Sequence, residues 1–256
     1  MKFQQIRNAT AIIEYAGKRF LVDPMLSEKA SFPGFPGTVN SELSNPLVEL
    51  PVTIHELSQV DAVILTHTHG DHWDEIAKAA LPKDLLVFVQ NEQDQKEVSS
   101  AGFTNTRVLD SETEFEGIRL VKTPGQHGSD SIMEKLGDML GTVCGVIFIH
   151  PSEKTLYLAG DTVWNHHVEN SLETYTPEVV ILNSGDAQVV GLGSIIMGKR
   201  DVLKVHEAAP NATLIATHME AVNHAVLSRK ELREFSIENG FDTNIAVPED
   251  GETVVI

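Results

Sequence analysis

The sequence predicts an α/β protein with its sheets inside and its helices outside. Three observations lead there. Apolar runs such as Ala62-Val63-Ile64-Leu65 and Val179-Val180-Ile181-Leu182 read as strands covered on both faces. Helical stretches alternate with them and stop at Pro or Gly. The 256 residues are 41% apolar, with Gly and Pro spread along the chain, which suffices for a sizeable core.

The elements follow in order. Ala11–Tyr15 and Arg19–Val22, joined around Gly17-Lys18, form a hairpin. Ser31–Pro46 contains Pro33-Gly34-Phe35-Pro36-Gly37 and is a loop. Loops of that length in compact domains are often functional, and this one is a candidate lid. After the strand 62–65 comes a short helix, Asp74–Ala80, ended by Pro82, then a strand over Leu85–Val89 and a polar helix over 92–101. Strands are expected over Arg107–Leu109, Glu114–Lys122, Val143–Ile149 and Thr155–Leu158. The alternation then resumes: helix 164–174, strand 179–182, helix 201–209 before Pro210, strand 213–216, and helix 229–238 closed by Gly240. Ile245–Val247 and Thr253–Ile256 finish as strands. No repeat, low-complexity tract or linker divides the chain, so residues 1–256 are expected to form one domain.

Chemistry concentrates where the strand 62–65 ends. His67-Thr68-His69-Gly70-Asp71-His72 places four candidate metal ligands in six residues. Imidazole and carboxylate are the usual nitrogen and oxygen ligands of zinc and manganese. Gly70 suits a tight bend that turns alternate side chains inward, and Gly125 and Gly128 constrain a turn around His127.

The hexapeptide resembles the H-x-H-x-D-H signature of the metallo-β-lactamase superfamily. Other segments resemble that superfamily in the same order: Thr123-Pro124-Gly125-Gln126-His127-Gly128, Leu156-Tyr157-Leu158-Ala159-Gly160-Asp161-Thr162 and Ala216-Thr217-His218. One departure is Gln126, inserted before the third histidine. The resemblance covers nearly the whole chain and implies a four-layer αβ/βα sandwich, with mixed sheets inside and helices on both outer faces. It implies that His67, His69 and His127 hold one divalent metal, that Asp71, His72 and His218 hold a second, and that Asp161 bridges them. Zinc or manganese is expected, with iron as the alternative. Two dications less two carboxylate charges leave a net positive site, which lowers the pKa of a shared water towards neutrality. The implied activity is hydrolysis of an ester, lactone or phosphodiester in a small molecule, anionic substrates included. Asp71 would orient the water or move its proton.

The segment His218-Met219-Glu220-Ala221-Val222-Asn223-His224 resembles the L-ascorbate-6-phosphate lactonase-like branch. It makes His224 a candidate catalytic residue facing substrate. Asp74 fits the same branch, as an N-cap that also orients a ligand histidine. His166 or His167 is a weaker candidate for the pocket wall, and Lys199 or Arg200 for contact with a substrate anion.

Composition excludes other classes. A formal net charge of −18 disfavours nucleic-acid binding, and with it the alternative of a nuclease on the same fold. A redox di-iron protein of this superfamily would usually carry glutamate where this chain has His69. A metal scaffold without catalysis would be expected to have lost ligands. The single cysteine, Cys144, sits in an apolar run and reads as a small buried hydrophobe. The N-terminus shows no signal-peptide pattern, and no apolar run nears the roughly 20 residues that span a bilayer. The expected location is the cytoplasm with no membrane partner, and a homo-oligomer is left open.

Overall fold

The computed structural model describes residues 1–256. Strands β1 (Lys2–Arg7), β2 (Thr10–Tyr15), β3 (Lys18–Val22), β4 (Ala62–Ile64), β5 (Leu86–Val89) and β6 (Thr106–Val108) belong to one sheet. Strands β7 (Glu114–Phe115), β8 (Ile118–Pro124), β9 (Cys144–Ile149), β10 (Leu156–Leu158) and β11 (Val179–Asn183) belong to the other, with β14 (Thr213–Thr217) and β15 (Ile245–Ala246). A small ribbon, β12 (Gln188–Val189) with β13 (Gly193–Ser194), stands apart, and β16 (Thr253–Val255) returns to pair with β1. The sheets run β16-β1-β2-β3-β4-β5-β6 and β15-β14-β11-β10-β9-β8-β7. Each is mixed: β3 to β6 are parallel, as are β10, β11, β14 and β15.

Alternation along the strands builds the layers. Ile13, Phe20, Ile64 and Phe88 face inward and meet Leu120, Val146, Phe148 and Ile181 of the second sheet. Their neighbours Ile12, Leu21, Val63 and Val87 face outward, against helices α1 (Ile54–Leu57), α2 (Glu75–Ala80) and α3 (Glu92–Ser100). α4 (Asp130–Leu140) lies beside the ribbon. On the other outer face Ile147, Tyr157, Val180 and Leu214 pack on α5 (His166–Tyr175), α6 (Lys199–Ala208) and α7 (Arg229–Glu238). This is the expected four-layer αβ/βα sandwich of the metallo-β-lactamase fold. Cys144 is buried, and burial pushes its thiol pKa up. No helix is long and apolar enough to cross a membrane.

The differences from the sequence reading are local. The expected strand 114–122 is a hairpin, because Glu116 (φ 53°) and Gly117 (φ 83°) form a left-handed two-residue turn. α6 starts at Lys199 rather than 201, capped by Gly198. β1 and α4 give weak signals: β1 mixes Gln and Arg into a buried strand, and α4 carries Gly137 and few buried residues.

Two glycines behave in opposite ways. Gly160, just past β10, has φ +70°, and a Cβ there would lie 2.3 Å from the Cys144 carbonyl oxygen. Gly70 does not have a left-handed φ, and a Cβ would meet nothing within 4 Å. The expected need for glycine at that bend is therefore absent. Gly160→Ala should cost more than about 2 kcal/mol, whereas Gly70→Ala should change stability by less than about 1 kcal/mol. Urea unfolding of the two variants checks the contrast.

Candidate metal centre

Parallel strands deliver their C-terminal ends to one edge of the sandwich, where side chains from different strands can gather. β3 leads to Asp23, β4 to His67, β10 to Asp161 and β14 to His218, while β8 leads to His127. Past β4, the Thr66 amide donates to Asp23 Oδ1 (2.8 Å) and its hydroxyl to Asp23 Oδ2 (2.7 Å). The Thr66 oxygen is then left to accept from His67 Nδ1 at 3.1 Å. That contact places the ring proton on Nδ1 and turns the Nε2 lone pair inward. The amides of His72 and Trp73 both donate to the His69 carbonyl (2.9 and 2.8 Å), which curls the hexapeptide back on itself. His127 Nδ1 donates to the Ile195 carbonyl at 2.8 Å, again freeing Nε2.

His218 reaches the same centre by a different route. It takes φ +59°, a strained value for a non-glycine residue, and its amide donates to the Asn8 carbonyl at 3.0 Å. The turn is possible because Gly185 lies beside it: a Cβ there would sit 2.0 Å from the His218 carbonyl oxygen.

All seven residues singled out as metal ligands converge. His67 Nε2 is 3.0 Å from His69 Nδ1, and His72 Nε2 is 3.2 Å from His218 Nε2. Asp161 Oδ2 lies 3.9, 3.2 and 3.6 Å from Nε2 of His67, His72 and His127, and its Oδ1 lies 3.7 Å from His218 Nε2. Asp71 Oδ2 is 3.3 Å from His218 Nε2. Three triads could each hold a cation: His67–His69–His127, His67–His72–Asp161 and Asp71–His72–His218. The spacing fits, because ligand atoms around a tetrahedral ion with bonds of about 2.0–2.1 Å stand about 3.3 Å apart.

Charge gives a second reason to place cations here. Burial opposes charge on His72, but the carboxylates of Asp161, Asp23 and Asp71 override it and hold its pKa well above the usual value. Burial likewise opposes charge on Asp161 and Asp71, yet His72 and His218 keep both well below the usual carboxylate range. Burial, reinforced for His67 by His72 and His69, lowers His67 well below its ordinary value. Burial brings His127 down to about 4. The centre thus gathers ionised carboxylates around imidazoles, a donor set suited to cations.

Several functional partners were not singled out in the sequence. Asp23 Oδ2 contacts His72 Nδ1 at 2.9 Å, the carboxylate–histidine arrangement that orients a ligand ring. The expected orienting role of Asp74 is not found. Asp74 caps α2 through Ala77 N (2.7 Å) and spends its other oxygen on the amide and hydroxyl of Ser27. Asn183 Nδ2 donates to Asp161 Oδ1 at 2.6 Å, and Asn8 Nδ2 to the Asp71 carbonyl at 3.0 Å. The one sequence signal for Asp23 is an acid at the end of an apolar strand.

A cavity of about 250 Å³ opens over the cluster, lined by His69, Asp71, His127, Asp161 and His224, with Phe35, Leu140, Val189 and Ile195 among its apolar walls. His224 is buried in this wall, with its ring 5.1 Å from that of Phe35. His166, His167, Lys199 and Arg200 do not line this cavity. Loop 31–46 is a fixed wall rather than a free lid. The buried amide of Asn223 accepts from Phe35 N (3.1 Å) and Asn45 Nδ2 (2.9 Å) and donates to Thr38 Oγ1 (2.8 Å) and the Val39 carbonyl (2.7 Å).

Fold and site together define a class: a metal-dependent hydrolase on the metallo-β-lactamase architecture. Comparison with known proteins agrees. The model of the Beta-lactamase superfamily domain matches residues 18–219. UPF0173 protein YddR of Bacillus subtilis is 55% identical over 254 residues, 99% of each chain. A UPF0173 metal-dependent hydrolase of Thermofilum pendens is 27% identical over 83% of this chain and 85% of its own. The crystal structure of an isothiocyanate hydrolase from Delia radicum gut bacteria superposes with TM-score 0.98 at 51% identity, covering 100% of this chain and 99% of that one. The chain belongs to the metallo-β-lactamase superfamily and, within it, to the UPF0173 family of metal-dependent hydrolases.

Asp23→Asn should weaken the hold on His72 and lower affinity for zinc by about 10–100-fold. Competition against a chromophoric chelator measures this, and unchanged affinity would remove Asp23 from the centre.

Proposed function

We propose that the cluster binds two divalent cations, zinc or manganese, and that the protein hydrolyses a small uncharged carbon electrophile, an isothiocyanate foremost. In this reading His67, His69 and His127 hold one ion, Asp71, His72 and His218 the other, and Asp161 spans both. The position of Asp161 supports the division, since its two oxygens lie near histidines of both groups. When bound, such ions supply Lewis acidity and bring the pKa of a water towards neutrality.

One observation carries the choice of substrate. The cavity over the cluster is small and mostly apolar in surface, and no lysine or arginine lines it. A phosphodiester or sugar phosphate would have only the bound ions, and no lysine or arginine, to receive its charge, on a chain whose net charge is −18. The same point weighs against the ascorbate-6-phosphate lactonase-like branch and against a nuclease. The neutral R–N=C=S group has no such need, and the 51% identical structural neighbour is named an isothiocyanate hydrolase. Its central carbon takes the oxygen of water, two protons pass to nitrogen, and the C–N bond breaks to leave an amine and carbonyl sulfide. Asp71 stands at the cluster to take up a proton. His224, whose pKa burial lowers and whose Nδ1 has no protein partner, would pass one to the departing nitrogen. Esters and lactones are the second reading, because the same neutral cavity admits a carbonyl carbon.

Zinc- or manganese-loaded protein should turn over phenethyl isothiocyanate with kcat/KM at least about 100-fold above that for bis(p-nitrophenyl) phosphate. Chelation should abolish turnover, and His69→Ala should lower it by about 10²–10³-fold with an unchanged circular dichroism spectrum. Metal-loaded protein that cleaves the phosphodiester and ignores isothiocyanates, esters and lactones would overturn the reading.

A further inference from the structure

The cavity over the cluster, about 250 Å³, shares part of its wall with a second space. A larger groove of about 680 Å³ adjoins it, and the two share Phe35 and Gly70 as lining residues. The groove runs between loop 31–46 and α2. Leu26, Phe32, Ile54, Trp73 and Ile76 give it an apolar lining.

The charged and polar side chains along it are largely committed to one another. Asp74 is used by Ser27 and the α2 cap, Lys78 pairs with Glu75 and Glu97, and Thr68 donates to Glu97. The indole N–H of Trp73 has no acceptor, but it is buried out of solvent reach. Glu28 and Ser31, exposed at the groove's edge, are without such partners, and beyond them a ligand meets hydrocarbon and aromatic surface.

Phe35 marks the boundary. Its ring meets His224 on the cavity side at 5.1 Å and Phe32 on the groove side at 6.1 Å. Asn223 fixes its backbone. Gly70 also lines both spaces, and no side chain stands there between them.

We propose that this groove is the subsite for the substrate's apolar substituent, an alkyl chain of several carbons or an aryl-alkyl group, threaded past Phe35 and Gly70 while the reactive carbon sits over the cluster. The proposal rests on the hydrolytic reading for where the reactive group lies, but it adds a selection that the cluster cannot make. Burial of each added methylene is worth about a two- to fourfold gain in binding.

Two experiments on the metal-loaded full chain test it. First, kcat/KM for n-alkyl isothiocyanates from methyl to hexyl should rise by about two- to fourfold per carbon. Ile76→Glu should flatten that rise, the wild-type side chain being 41% exposed and its replacement tolerable to the fold. Second, the chain has two tryptophans, so Trp164→Phe leaves Trp73 as the sole reporter. Its fluorescence should shift saturably with n-hexanol at concentrations where ethanol has no effect, and Ile76→Glu should weaken the response about tenfold. A rise with chain length that Ile76→Glu leaves intact, or a hexanol response absent from Trp73, overturns the subsite. If hexanol binds as described and no isothiocyanate is hydrolysed, the subsite stands and the choice of reactive group falls. If isothiocyanates are hydrolysed at one rate regardless of length, the reverse holds.

Discussion

Three carboxylates shut away from water around one imidazole set the terms for the rest of the molecule. Asp161, Asp71 and Asp23 are buried about His72. An ion so placed costs several kcal/mol unless hydrogen bonds and opposite charge offset the loss of water. The neighbourhood is organised to supply both. Asn183 donates to Asp161, Thr66 donates twice to Asp23, and the carboxylates raise the pKa of His72 beside them. Gly160, Gly185 and the strained His218 then follow as consequences: backbone must pass closely enough for side chains from five strand ends to reach one point.

That constraint explains which parts of the protein could be read from sequence. The hexapeptide His67–His72, the Gly160-Asp161 strand end and the terminal His218 are local patterns, because each puts ligands at the end of one apolar strand. The paired layers were legible as well, since alternation along β2, β3 and β4 sorts Ile12, Leu21 and Val63 outward from Ile13, Phe20 and Ile64. What escaped notice depends on distance along the chain. Asp23 lies 43 residues from Thr66, and Asn8 lies 210 residues from His218, so neither leaves a periodic trace. Asp74 shows the converse error. Its position two residues after His72 suggested a partner for the histidine, whereas its capping of α2 and its contact with Ser27 leave no oxygen free.

Loop 31–46 shows how a segment without regular structure can be as well determined as a strand. Its length made it a candidate lid. A single side chain, Asn223, satisfies all four of its amide hydrogen-bonding positions against the loop, and Asn45 returns the contact by accepting from the Asn223 amide at 2.8 Å. A buried amide with every position used is costly to disturb. The loop therefore serves as part of the wall, and the segment 218–224 has two tasks: His218 and His224 face the cluster from below while Asn223 anchors the roof above it.

The acidic surface and the apolar cavity are two sides of one selection. A chain with net charge −18 concentrates cations around itself, which favours filling a centre built from ionised carboxylates and neutral imidazoles. The same field repels anions before they reach the mouth, and a cavity wall without lysine or arginine adds no side-chain cation to the centre's own charge. An uncharged substrate is indifferent to that field. Its binding is governed by how much hydrocarbon leaves water along Phe35 and the surfaces next to it, and the polar work of the protein is confined to the few ångströms where a bond is broken. Separation of the two tasks is what allows a buried, charge-dense centre to act on molecules that carry no charge at all.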